Sequence, residues 1–144
     1  METPAMGKVL VTALVENAED LMLARKGMIP SEQIRRVEVH DALVDTGATG
    51  LCMPKRLIEQ LGLQPSGTRR VRTSAGPRTA QLYRSVVLTI MGRDCLSDVT
   101  ELPDDCPVLI GQVPLEVLDF VVDPVAQCLI GNPAHGGEQI IEIY

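Results

Sequence analysis

The segment "ALVDTGATG", residues 42–50, carries an apolar run straight into a carboxylate, Asp45, and places a glycine two residues later. A carboxylate delivered by the end of an apolar strand can act on water as a general base or hold a proton as a general acid. It can equally close an ordinary Asx-type turn. Other chemistries find less support. Ser74 near Gly76 has no histidine in a matching context, and G-x-S-x-G is absent. Cys52, Cys95, Cys106 and Cys128 show neither C-x-x-C spacing nor paired histidines, so no zinc site or other metal is expected. They are read as reduced, buried small hydrophobes. His40 and His135 are expected on the surface, with "HGG" at 135–137 as a turn. Asp123, before Pro124, reads as a turn residue, and Asp41 as the polar edge of a strand.

The elements around Asp45 follow from periodicity. "RRVEVHDALV" alternates and predicts a strand ending at Asp45. "MPKRLIEQLGL" predicts a helix, with Pro54 in the first turn, a Leu57, Ile58, Leu61 stripe and Gly62 as C-terminal cap. "QPSG" reads as a loop. "TRRVRT" and "RTAQLYRSVVLTI" read as hairpin arms around a Ser74-Ala75-Gly76-Pro77 tip. "CLSDVTEL" is a further strand. Val108–Ile110 runs into Gly111, followed by a short helix with Leu115 and Leu118 inward. "FVVD", "QCLI" and the tail "EQIIEIY" complete the strands. Upstream, "KVLVTALVE" is apolar on both faces and predicts a strand buried on two sides or paired with another subunit. "NAED" then reads as a turn, "LMLAR" as a short strand, and Pro30–Glu32 as a helical turn. A weak repeat of strand, glycine turn and helix relates 42–61 to 108–118.

At 144 residues the chain is expected to be one domain, 1–144, without need of metal or disulfide to fold. Aromatics make up only 2% of residues, so stacking platforms for single-stranded nucleic acid are essentially missing. The net charge of −6 also argues against a nucleic-acid partner. The cluster Arg69, Arg70, Arg72 is the exception and reads as a solvated face or a substrate-side patch. The apolar stretch near the N-terminus is too short and alternating for a signal peptide or membrane span, so a cytoplasmic location is expected.

"LVDTGAT", a following helix, a glycine-tipped hairpin and "VLIG" before a second short helix together resemble the retropepsin-like aspartic proteases, most closely the cellular, bacterial-type members. The resemblance covers nearly the whole chain. It implies an all-β closed acid-protease barrel with one or two short helices, working as an endopeptidase without cofactor. Peptide hydrolysis by this route uses two carboxylates about one water, and two such groups a few ångströms apart share a single proton. The chain has one Asp-Thr-Gly, so the resemblance implies a homodimer with one Asp45 from each copy across a two-fold axis. Thr46 and Gly47 would then grip the partner's loop, and Leu109, Ile110 and Gly111 would support it from beneath. Ala48 and Thr49 would line the first subsites. Ser74, Ala75 and Gly76 would tip a flap over an extended peptide or protein substrate.

The chain departs from the viral pattern in three places. Thr49 and Gln112 stand where viral members have an acid–arginine pair, the flap tip is poorer in glycine, and the segment before Asp45 is longer. The alternative from another class is a retropepsin-fold dimerisation or peptide-binding module with little or no proteolysis. The intact Asp-Thr-Gly favours the enzyme, since a pure binder needs no carboxylate there.

Overall fold

The computed structural model describes residues 8–143. Among the described residues there are nine strands: β1 (Leu10–Asn17), β2 (Arg36–Val44), β3 (Leu51–Pro54), β4 (Gln64–Thr73), β5 (Gly76–Ile90), β6 (Arg93–Leu102), β7 (Leu109–Ile110), β8 (Phe120–Asp123) and β9 (Cys128–Gly131). Three short helices interrupt them: α1 (Ala18–Arg25), α2 (Lys55–Leu61) and α3 (Gln112–Leu118). The protein is all-β. No described helix is long and apolar enough to cross a membrane.

Seven strands form one sheet in the order β1-β2-β7-β3-β6-β5-β4, and an extra β1–β5 pairing bends six of them into a ring. The ring is irregular, because β7 offers only two residues to each neighbour. β4 is left outside it, paired to β5 alone. β8 and β9 form a separate hairpin. The core is aliphatic, as the scarcity of aromatics requires: Leu51, Met53, Ile58, Leu61, Leu88, Ile90, Ile110, Leu115 and Leu118 are fully buried. The one phenylalanine, Phe120, is buried beneath the Arg93 guanidinium, 4.5 Å from the ring centroid.

Several local expectations are corrected. "LMLAR" is helical within α1, because Asn17 caps it: its side chain accepts the Asp20 amide at 3.0 Å, and Glu19 and Asp20 fill the first turn. "NAED" is therefore a helix start rather than a turn. β1 buries one face, through Ala13 and Val15, and pairs within its own chain on both edges, with β2 and β5. "QPSG" belongs to β4, with Gly67 at φ +136 beside a register shift. β3 was not expected: Met53 and Pro54 fall in the start of the expected helix, and four residues are too few to show alternation. The tail 139–143 forms no strand; Ile141 and Ile143 stand exposed. Residue 144 and residues 1–7 lie outside the described part, including the start of the N-terminal segment.

The weak repeat has a structural counterpart. β2 and β7 lie side by side in parallel, and each leads through a glycine-bearing turn to a helix (by way of β3 in the first case). Both helices end on a left-handed residue, Gly62 at φ 62 and Asp119 at φ 61.

Candidate active site

Asp45 is the first residue past β2, and its amide still donates to the Ile110 carbonyl at 3.0 Å. The preceding strand is fixed on both sides. Leu43 donates to Val108 at 2.8 Å, and Val44 to Val9 at 2.9 Å. The backbone carrying the carboxylate is therefore part of the sheet, while the loop beyond it is open. Thr46, Gly47 and Thr49 are exposed, and Asp45 and Ala48 are half-buried.

The carboxylate is oriented locally. The Gly47 amide donates to Asp45 Oδ1 at 2.9 Å, and the Ala48 amide to the Asp45 carbonyl at 3.0 Å. A Cβ on Gly47 would stand 3.2 Å from Asp45 Oδ1, which explains a small residue at that position. An Asx turn and an aimed carboxylate are thus the same geometry here. Cys52 sits close by. Burial, and then the Asp45 charge, push its thiol up to about 11, so it is a neutral thiol rather than a nucleophilic thiolate.

The second glycine turn holds the loop from behind. Gly111 donates to Gly50 O, Gln112 to Ala48 O and Val113 to Thr49 O, each at 2.9 Å. The first amides of α3 lack partners inside the helix, and the 45–50 loop supplies them. Three backbone bonds therefore brace the loop although Thr49 and Gln112 form no ion pair. The Gln112 side chain instead donates to Glu116 at 3.1 Å. The structure thus brings Ile110 and Gly111 against residues 45–50, while Leu109 pairs with Leu43 and Cys52 on either side of that loop. The α3 amides were not foreseen from sequence; the short "QVPLEVL" helix opening directly after "LIG" was the available signal.

The hairpin lies farther off. Its tip is Ser74-Ala75, two residues rather than four, with Thr73 Oγ1 donating to Gly76 O at 2.8 Å and accepting from the Ala75 amide at 3.1 Å. Of residues 64–79, all but Val71 and Gly76 are exposed. No hydrogen bond joins the tip to the Asp45 loop among the described residues. The hairpin root and Asp45 are nevertheless aligned. Tyr83 pairs with Val99, Val99 with Leu51, Leu51 with Ile110, and Ile110 with Val44. One row of the sheet therefore runs from the hairpin root to the residue before Asp45. Tyr83 Oη donates to Glu101 at 2.6 Å on that root, a bond that pushes the phenol up to about 12.

The remaining candidates fall elsewhere. Asp123 accepts from the Val125 and Ala126 amides at 3.0 and 3.2 Å, as a turn residue does. His40 is exposed. His135 is not a free surface residue: its side chain is only 17% exposed, with Nδ1 2.6 Å from Asp119 and Nε2 2.7 Å from Glu142. Cys95 is buried, but Cys128 is exposed, so burial does not describe all four thiols.

Surface clefts of about 550 and 690 Å³ lie beside β1 and β2, and neither is lined by a residue of the 45–50 loop. No curated protein matches the chain. Residues 33–134, well over half the chain, match the model of an aspartyl protease family, and the span holds the Asp45 loop, the hairpin and the Gly111 brace. The chain belongs to this retropepsin-like aspartyl protease family.

Proposed function

We propose that the protein is an aspartic endopeptidase whose dyad is Asp45 from each of two copies. The observation that carries the reading is the Asp45 loop. A strand held in the sheet on both sides delivers the carboxylate, a backbone amide orients it, and a second glycine turn braces it, while Thr46, Gly47 and Thr49 stand exposed. Such a loop is half a site. A two-fold axis through it would set one Asp45 beside the other, with exposed Thr46 and Gly47 at the contact. One carboxylate then takes a proton from water as it attacks the scissile carbonyl, and the other gives a proton to the carbonyl oxygen. Ala48 and Thr49 would contact the nearest substrate side chains, and the β4–β5 hairpin would close over an extended chain.

Cleavage of a peptide library by the parent and by Asp45→Asn tests this reading. Asn keeps an oxygen to accept the Gly47 amide but cannot exchange the proton, so the variant should fold and cut nothing. A chelator and a thiol-alkylating reagent should leave the parent's activity intact, since no metal is invoked and Cys52 stays protonated. Cleavage by Asp45→Asn at the parent's rate would overturn the assignment.

A further inference from the structure

The β4–β5 hairpin segregates charge. Residues 64–84 contain Arg69, Arg70, Arg72, Arg78 and Arg84 and no acidic residue, in a chain with 13 basic and 19 acidic residues. Outside the hairpin eight basic residues face all nineteen acids. Among the described residues only Arg84 of these has a carboxylate partner, Asp98 at 3.5 Å. Among the described residues Arg69, Arg70, Arg72 and Arg78 pair with no carboxylate.

The register distributes these four over both faces. Directly paired residues of an antiparallel ladder share a face, and neighbours along a strand alternate. Arg70 pairs with Thr79 and Arg72 with Pro77, which puts Arg70 and Arg72 on one face. Val71 pairs with Arg78 and Arg69 with Ala80, which puts Arg69 and Arg78 on the other, flanking Val71. Whichever face looks toward the cleft presents two guanidinium groups. Guanidinium forks bind carboxylates through two parallel hydrogen bonds, and they do so best where closure excludes water. In the proposed dimer, an acidic body that repels acidic chains, carrying a basic arm that would close over the substrate, selects for acidic segments.

We infer that the hairpin recognises extended peptides rich in Asp and Glu, binding their carboxylates through Arg70 and Arg72 on one face or Arg69 and Arg78 on the other. This rests on the proposed function for the cleft beneath the hairpin. The alignment of the flap root with Val44 supports that placement.

The test is fluorescence anisotropy on Asp45→Asn, which separates binding from turnover. The probes are a labelled twelve-residue peptide with Asp and Glu on both sides of an apolar pair and its Asn/Gln counterpart. The acidic peptide should bind at least about ten-fold more tightly, the scale of one or two charge-assisted contacts, and lose that advantage as salt rises. Replacing Arg69, Arg70, Arg72 and Arg78 by Gln should abolish the preference while the circular dichroism stays unchanged. If that variant does not fold, the pairs Arg70→Gln with Arg72→Gln and Arg69→Gln with Arg78→Gln are measured separately, and one pair should carry the loss. Equal affinity for the two peptides, or a preference that survives every Arg variant, overturns the inference. So does tighter binding of a phosphoserine peptide or of single-stranded DNA. Cleavage by the parent without acidic preference would refute this inference and leave the proposed function standing. Acidic preference without cleavage by the parent would do the reverse.

Discussion

The amide of Gly111 donates to the carbonyl of Gly50 at 2.9 Å, and the two backbones are too close to admit a side chain. A Cβ at Gly111 would lie 2.5 Å from Gly50 O and 2.7 Å from both Ala48 O and the Thr49 carbonyl carbon. All three are backbone atoms, so no rotamer change relieves the clash. Gly111→Ala should therefore push the Asp45 loop out of place. We expect a loss of about 1–3 kcal/mol, the usual range for overpacking, read by urea unfolding, together with loss of cleavage. An unchanged unfolding midpoint would contradict the brace.

Tyr83 and Glu101 tie the root of the β4–β5 hairpin to β6 through a 2.6 Å hydrogen bond. Tyr83→Phe leaves Glu101 without that donor and should cost about 1 kcal/mol, with more mobility in β4 and the outer half of β5. The phenol is raised from 10 to about 12, so the bond's contribution is fully present below pH 10 and is lost as the pH climbs toward 12. Hydrogen exchange across residues 64–84 measures the loosening. Identical exchange in parent and variant would count against it.

His135 links the body to the tail. Its hydrogen bonds to Asp119 and then to Glu142 hold its pKa above 6.5, while His135 and the Ile140 amide hold Asp119 down at about 2. Arg93 flanks the cluster, donating to the carbonyls of Leu118, Asp119 and Gly137. The histidine's contribution is complete below pH 6.5 and fades as the pH rises through its raised value. The aspartate's is complete above 3.8 and fades as the pH falls toward 2. Protection of the Ile140 amide, which donates to Asp119 at 3.0 Å, should therefore peak between about pH 4 and 6.5. His135→Gln should remove the decline on the alkaline side. Protection factors constant from pH 5 to 8 in the parent would contradict the latch.

Strong periodicity and glycine positions made most of this architecture legible. The alternation of "RRVEVHDALV", the Pro54 to Gly62 helix boundaries and the strand at Val108–Ile110 each followed from a local pattern that tertiary context leaves intact. α1 was misread because its apolar residues mimic a strand, and the decisive contact is the Asn17 cap on Asp20, a single bond. The tail was misread because "IIEIY" has strand composition but meets no partner edge within the described chain. At the site, Asp45 and Gly111 were visible as motif residues. The α3 amides that hold the loop, the Tyr83–Glu101 tie and the His135 network were not. They depend on bonds between residues 7 to 64 positions apart, nearly all of them beyond the reach of a local pattern.

In the proposed enzyme each active centre contains two Asp45 carboxylates, one from each copy. Mixing parent and Asp45→Asn at fixed total concentration, with time for subunit exchange, tests it directly. Mixed dimers would carry one carboxylate and be inactive, so activity should follow the square of the parent fraction, falling to about one quarter at an equal mixture. Activity that instead falls in proportion, to about one half, would mean that a single chain suffices and would contradict the shared dyad. Absence of cleavage in the undiluted parent would contradict the endopeptidase itself.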